Sequence, residues 1–222
     1  MSRARNYFAW QGRMVTPELG QRVIEVGCGI GNFTEMLLDR AAVCAVDVDP
    51  RSVEQLLARY AGRRNLSAVA CDVQSEQFSQ LSRFGADSCV CLNVLEHTAN
   101  DLGALGRMAS ILRPNGVIVL LVPAFPSLYG PIDRNLRHHR RYTRASLVHL
   151  AAAAGLRTRK LCYLNVAGFF GWWTNAHLFR GEVQSAAQIE FFDRYVVPPC
   201  SWIEDRLPPP FGQSLLMVLV KS

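Results

Sequence analysis

The sequence predicts an α/β domain built on a mostly parallel sheet with helices on both faces. Three observations predict it. Short, uniformly apolar runs alternate with stretches of helical periodicity, the pattern of strands buried on both sides by crossover helices. A glycine-rich turn, VGCGIG, ends the first run and places a close-approach loop at a strand's carboxyl end. At 222 residues the chain fits one domain, 1–222, with room for inserted segments.

Taken in order, RVIEV (22–26) is the first strand, and NFTEMLLDRA predicts a helix with Phe33, Met36 and Leu37 on one face. VCAVD (43–47) is the second strand. PRSVEQLLARY follows with Pro50 in a helix's first turn and Val53, Leu56 and Leu57 inward. LSAVAC (66–71), DSCVCLN (87–93) and VIVLLV (117–122) are further strands. Between the last two, Asp101 is placed to cap a helix carrying Leu102, Leu105, Met108 and Leu112, which stops at RPNG. The rhythm breaks over 124–143. It resumes in a helix from Thr143 with Leu147 and Leu150 inward and Gly155 as its stop. LRTRKLCYL (156–164) and SLLMVLVK (214–221) are the sixth and seventh strands. Residues 1–19 predict an N-terminal helical lid, and 166–207 an interruption rich in Phe, Trp and Tyr.

Half the residues are hydrophobic and 19% charged, an ordinary globular composition. The net charge is +6, and lysine occurs only at positions 160 and 221, so the positive charge is nearly all arginine. No stretch approaches the ~18 apolar residues that span a bilayer, and no apolar run follows MSRARNYFAW to make a signal peptide. Seven cysteines without a CxxC pair, most in apolar stretches, suggest reduced thiols in the cytoplasm.

The sharpest motif is VIEVGCGIGNF. The dinucleotide fingerprint wants G-x-G-x-x-G. Here the third glycine comes one residue early, Asn32 stands in its place, and no Gly-Lys-Ser/Thr loop exists, which disfavours a pyrophosphate ligand. At these residues the sequence resembles the class I S-adenosylmethionine-dependent methyltransferases, over nearly all of 20–222. Their first motif, E/D-x-G-x-G-x-G, is matched by Glu25, Gly27, Gly29 and Gly31. The resemblance implies a Rossmann-like seven-stranded sheet with its last strand antiparallel, and S-adenosylmethionine as cofactor. It further implies that the glycine loop, Cys28 included, packs along the cofactor's methionine part with Glu25 behind it. Asp47, beside Val48, is expected to accept the ribose hydroxyls, with Asp49 as the alternative register. Asp72 is expected to accept from the adenine amino group, with Val73 packed nearby. Asn93, Val94, Leu95, Glu96 and His97 match the family's stretch beneath the reacting methyl group.

The run IDRNLRHHRRYT (132–143) fits a nucleic-acid backbone, an acidic small molecule, a metal or plain solvent. Arg140 and Arg141 precede a helix N-terminus and Arg144 lies in its first turn, the end that repels cations. They need an anionic partner, and Asp133, Glu96 or a bound substrate could each provide one. No metal is expected, because His138 and His139 are adjacent and no carboxylate or Cys stands at usual ligand spacing. No nucleic acid is expected either, since the charge is local and not interleaved with stacking aromatics.

A bacterial subset of the family carries P-x-x-x-x-L-Y-G-x-x-D-x-x-x-G-H-x-R-R-Y after strand five. This chain matches it at Pro123, Leu128, Tyr129, Gly130, Asp133, His138, Arg140, Arg141 and Tyr142, with Arg137 in place of Gly. The resemblance places 124–143 over the active site. His138 is then the first candidate base, with His97 and His139 behind it, and Tyr129, Asp133, Arg141 and Tyr142 face the acceptor. A structural latch made by the arginines is the competing reading. The insertion NVAGFFGWWTNAHLF is apolar on every side, as in a buried helix or a lid. With Trp172 there and Trp10 near the N-terminus as walls, it suggests a hydrophobic acceptor, against plain core packing or a homodimer seam. The expected function is methyl transfer from S-adenosylmethionine to a small hydrophobic acceptor, at oxygen before carbon or nitrogen. Two alternatives stay open: a lipid-linked acceptor reached by peripheral membrane contact, and a cofactor-binding protein that has lost methyl transfer.

Overall fold

The computed structural model describes residues 4–179, 181 and 185–221. Its centre is one seven-stranded sheet: β1 (Arg22–Val26), β2 (Ala42–Asp47), β3 (Leu66–Ala70), β4 (Ala86–Leu92), β5 (Leu112–Pro123), β6 (Leu156–Leu164) and β7 (Ser214–Lys221). The order is β3-β2-β1-β4-β5-β7-β6, and β7 alone runs antiparallel to its neighbours. Valine, isoleucine, leucine and cysteine in β1, β2 and β4 are buried on both sheet faces, which is why these strands read as unbroken apolar runs. The order reverses at β1, whose two neighbours are β2 and β4. Open parallel sheets bind ligands at such a switch, outside the strands' carboxyl ends.

The helices are α1 (Arg5–Val15), α2 (Pro50–Arg59), α3 (Asp101–Ser110), α4 (Pro131–Asn135), α5 (Arg144–Ala153), α6 (Val166–Thr174), α7 (Ala186–Phe191) and α8 (Val197–Glu204). Two hydrophobic layers form on opposite sheet faces. One gathers Ile24, Cys89, Leu105, Met108, Ile118, Leu120 and Leu147 under α3 and α5. The other gathers Trp10, Val23, Leu37, Val90, Val119, Val197 and Leu216 under α1 and α8.

Several expectations are corrected. The helix expected over NFTEMLLDRA is only a short 3-10 turn, Thr34–Leu37. Gly27, Gly29 and Gly31 all have positive φ, so the glycine loop consumes the chain up to Gly31, and β2 begins at Ala42. The short remainder closes through i to i+3 bonds such as Met36 N–H to the Phe33 carbonyl. Leu57 and Leu102 face solvent rather than the core. Asn100, not Asp101, caps α3, its side-chain oxygen accepting from Gly103 N–H at 2.8 Å. The RPNG stretch does not separate α3 from β5 but forms the strand's bulged start, with Asn115 at φ +61°. Thr143 caps α5 and Gly155, at φ +70°, ends it as expected.

The N-terminal segment forms α1 and a 3-10 turn at Thr16–Glu18. Trp10 is 2% exposed, packed in the second layer, and its indole N–H donates to Asp205 at 3.0 Å. That burial assigns Trp10 to packing rather than to a cavity wall. Asp193 substitutes for the missing side-chain cap of α1, its carboxylate accepting from the backbone N–H groups of Asn6 and Tyr7 at 3.1 and 2.8 Å. Insertion and N-terminus are thereby held together.

Candidate active site

Gly27 ends β1 at φ +80°, and a methyl group added there would meet the Val94 side chain. Glycine is therefore required at this position for close packing as well as for the turn. Gly29, at φ +50°, is different: a Cβ there would meet open space, so its backbone borders a cradle. Across that cradle, Asp47 at the end of β2 accepts from Gly29 N–H at 2.7 Å and from Asp49 N–H at 3.0 Å. Asp49 is committed elsewhere, capping α2 through Arg51 N–H and the Ser52 hydroxyl. The strand-two register thus favours Asp47, with Val48 next to it 69% exposed. Asp72, after β3, keeps one oxygen engaged with Gln74 N–H at 2.8 Å. Val73 is buried in the first layer and so supports the site from beneath.

Behind the loop, Glu25 is 4% exposed and accepts from the Thr34 hydroxyl at 2.6 Å. Burial drives its carboxyl up to about 7, against the Thr34 bond, and the Asp47 charge adds to the rise. Cys28 is buried, and burial beside Glu25 and Asp47 lifts its thiol well above the ordinary range, so it packs rather than reacts. An acidic cradle of Glu25, Asp47 and Asp72 repels a pyrophosphate and suits a ligand bearing positive charge together with hydroxyl and amino donors. S-adenosylmethionine fits that description. Asp47 would hold its ribose, Asp72 its adenine amino group, and Gly29 with its neighbours its amino-acid part.

Asn93 follows β4 at φ +54°, and its N–H is tied to the Leu121 carbonyl. This turn delivers Leu95, Glu96 and His97 beside the loop after β5. The loop closes on itself where Tyr142 N–H donates to the Pro123 carbonyl and Phe125 N–H to the Tyr142 carbonyl. It is also stitched to the β4 turn. His139 N–H donates to the Glu96 carbonyl, Arg140 pairs with Asp101 at 2.8 Å and donates to the Ala99 carbonyl, and the Tyr142 hydroxyl donates to Asp101 at 3.0 Å.

At the loop's centre Asp133 is completely buried. Its carboxylate accepts from His138 Nδ1 at 2.9 Å, Arg141 Nε at 2.8 Å, Gly130 N–H at 3.0 Å and the Trp172 indole at 3.2 Å. Burial alone would raise its pKa, but the bonds from His138 and Arg141 outweigh that and hold it at about 2. Arg141 also donates to the Ala124 carbonyl and lies over the Trp172 ring. Asp133, Arg141 and Tyr142, expected to face the acceptor, are buried: Asp133 and Arg141 pair with each other, and the Tyr142 hydroxyl is engaged by Asp101. They are the latch, and Trp172 is joined to it. Tyr129 belongs to the same knot, its hydroxyl donating to the His138 carbonyl at 2.7 Å. His138 is the group the latch presents, its ring edge-to-face with His97 at 4.6 Å between centroids. His139 is exposed.

Glu96 was expected from sequence in a matching stretch and as one possible partner for the arginines, yet it is the least satisfied group here. It is 1% exposed, and neither carboxylate oxygen has a hydrogen-bond partner among the described residues. Burial pushes it to about 8, only partly opposed by its own amide and Arg141, while Asp133 adds to the rise. A second feature hidden from sequence is a buried polar cluster at the β6–β7 end. There the Tyr7 phenol meets Ser214, Gln11 and Asn165, and Glu204 accepts from the N–H groups of Asn165 and Val166. Its members come from four distant segments, so no local pattern could announce it.

The fold is that of an open α/β protein whose acidic glycine cradle lies at the switch point of its sheet. A family model described as a methyltransferase domain matches residues 24–118. The ubiquinone biosynthesis O-methyltransferase of Xanthomonas campestris pv. campestris is 26% identical over 194 residues, covering 81% of this chain and 77% of that protein. Magnesium protoporphyrin IX methyltransferase from Synechocystis PCC 6803, solved with bound SAH, superposes with a TM-score of 0.61 at 12% identity, over 98% of this chain and 83% of that one. The YcgJ protein of Bacillus subtilis gives 0.63 at 15% identity, over 96% and 98%. Over residues 24–118 the chain is similar to a methyltransferase domain, and S-adenosylmethionine is the cofactor that this likeness supports.

Two outcomes follow from this geometry. Asp47→Ala should weaken S-adenosylmethionine binding by ~1.5–3 kcal/mol through lost charged hydrogen bonds, measured by calorimetry. Asp49→Ala should leave that affinity nearly intact and lower thermal stability through its helix cap. The reverse pattern would show that the second-strand register is wrong.

Glu25 also sets a pH dependence. Its folded pKa lies above its unfolded value of ~4.3, so the folded chain holds this proton longer. Stability from this group is greatest below about 4.3 and falls as pH rises to about 7. Thermal melts of the cofactor-free protein across that window should show the decline, and Glu25→Gln should lessen it, leaving the part that Glu96 contributes with the same sign.

Proposed function

We propose that the protein transfers a methyl group to an oxygen of a small, largely apolar acceptor. The observation that carries this reading is His138, fixed by Asp133 through Nδ1 and standing against His97 and Glu96, directly after the β4 turn. The cofactor supplies an electrophilic methyl group on a sulfonium. The chain's own residues have to orient the acceptor, exclude water and manage one proton. With Nδ1–H donated to Asp133, the His138 Nε2 lone pair is left to take or steer a hydroxyl proton. Phe125, Phe169 and Phe211, in edge-to-face contact at 5.3 and 5.1 Å, supply an apolar wall at the ends of β5 and β7. The relative named as a ubiquinone biosynthesis O-methyltransferase supports oxygen over carbon or nitrogen. All seven cysteines are free thiols, which supports a reducing compartment such as the cytoplasm.

A second reading, action on a lipid-linked acceptor at a membrane surface, is favoured by one observation. The insertion leaves Phe170, Trp173, Leu178, Phe191, Tyr195, Trp202, Ile203 and Leu207 between 43% and 71% exposed. Arg194 and Arg206 lie over the Tyr195 and Trp202 rings, pairing cations with amphipathic aromatics as interfacial surfaces do. No helix among the described residues is long and apolar enough to cross a membrane. The protein should float with anionic vesicles, and the Trp173→Ser/Trp202→Ser double variant should not. Wild-type protein that stays with the unbound fraction would remove this reading.

The catalytic proposal is tested by mutation. His138→Ala should lower turnover on a phenolic or other hydroxyl acceptor by ~10²–10⁴ while cofactor affinity is retained. Arg141→Ala, which strands buried Asp133, should cost about 3–5 kcal/mol of stability and lower activity with it. Wild-type turnover by His138→Ala would leave the loop as a latch alone.

A further inference from the structure

Glu96, His97 and His138 bring one carboxylate and two imidazoles together from two separate loops. The carboxylate and ring-nitrogen atoms they offer lie within 4.8 Å of one another. We propose that these three residues bind a divalent transition-series cation, with remaining coordination positions open to the acceptor's oxygen. This deepens the reading above and rests on it for the acceptor's position.

Three independent features of the trio point to a cation. The first is Glu96 itself. A carboxylate 1% exposed with both oxygens unpartnered is costly whether charged or neutral, and buried groups left this way call for a specific explanation. A cation at its oxygens supplies the missing partner. The second is the outer shell. His138 is held through Nδ1 by Asp133 at 2.9 Å, and the His97 ring stands edge-to-face against it. The His138 ring therefore has one nitrogen committed to an oxygen acceptor and the other free as a lone pair. Carboxylate or carbonyl support on the far nitrogen is the arrangement that orients metal-ligating histidines. The third is the donor set. Two imidazoles and one carboxylate suit zinc, iron or cobalt and leave sites open for a substrate. A cation ~2.1 Å from each donor sets the donors about 3–4 Å apart, a spacing compatible with atoms that all lie within 4.8 Å of one another.

The cation would also change what His138 does. As a ligand through Nε2 it no longer accepts a proton. A hydroxyl bound to the cation loses its proton more readily by itself, as metal-bound water does. The same residue thus serves as base without a cation and as ligand with one, and experiment separates the two.

The test uses the full-length protein stripped with a chelator and titrated with Co²⁺. Wild type should take up one equivalent with visible ligand-field absorption, and Zn²⁺ should displace it. Glu96→Gln, His97→Ala and His138→Ala should each lower the Co²⁺ affinity by more than about 100-fold. His149→Ala, an exposed histidine on α5, should bind as wild type does. Circular dichroism identifies any variant that fails to fold, and the three ligand variants are read independently. Absence of saturable Co²⁺ binding by wild type overturns the proposal, as does equal binding by folded ligand variants. If chelated protein still transfers methyl at full rate and never binds Co²⁺, the cation site falls and His138 as base stands. If Co²⁺ binds through the trio but no hydroxyl acceptor is methylated, the site stands and the proposed function falls.

Discussion

Asp133 is the interaction on which the acceptor side depends. One carboxylate, with no exposed surface, holds a histidine, an arginine, a tryptophan and a backbone amide from four points of the chain. Such a charge is tolerable in the interior only because its oxygens are occupied by charged and neutral donors. The same bonds fix the loop between β5 and α5, and that loop is pinned through Arg140 and Tyr142 to Asp101 at the head of α3. His138 is therefore presented by rigid structure rather than by a free loop, which is what a positioned proton acceptor or ligand needs.

The site has two electrostatic halves, and the switch in the sheet keeps them apart. Glu25, Asp47 and Asp72 stand at the ends of β1, β2 and β3, where a cationic cofactor with hydroxyl and amino donors is favoured. The histidines and Arg141 stand past β4 and β5. Between them lies the Asn93–Val94 turn, with Val94 closing against Gly27. An in-line transfer needs its donor and acceptor on opposite sides of the moving group, and the division at β1 and β4 provides two sides. The basic run seen in sequence is thus not a general anion grip. Arg140 and Arg141 each have an internal carboxylate partner, while Arg144 lies over the Tyr163 ring.

Most of the fold was legible because its strands are buried on both faces, and burial of that kind writes itself as continuous apolar sequence. β1 and β7 begin and end where their apolar runs do, while the edge strand β6 keeps the expected bounds with a half-exposed pattern. The failures have local causes. The segment after the glycine loop carries helical periodicity but lacks the length to use it, and RPNG carries turn chemistry that a β-bulge absorbs. The placement of Glu25, Asp47 and Asp72 side by side was legible for a similar reason, since each sits at a fixed offset from a strand end. The acceptor end was not. Whether Asp133 faces a ligand or a neighbouring arginine depends on packing between distant segments, as does the fate of Glu96. Asp49 shows how a local rule can decide a register: a residue already spent on a helix cap is a poor candidate for a ligand.

The unpaired Glu96 is the point at which local stability and function separate. Other buried carboxylates in this chain are paired: Glu25 with Thr34, Glu204 with two backbone amides, Asp193 with two more. A glutamine or an apolar side chain at position 96 would avoid the desolvation of a carboxylate at no evident cost to the sheet. Folding sequences are locally consistent except where function demands otherwise, and strain or unsatisfied groups concentrate at such sites. The neighbours of Glu96 are what make the exception informative. Two histidines, one of them held through its far nitrogen by Asp133, and a guanidinium close by supply groups that stabilise a negative oxygen. A carboxylate left open among them is positioned to receive a positive ligand or a proton, and both belong to the handling of an acceptor hydroxyl rather than to the fold.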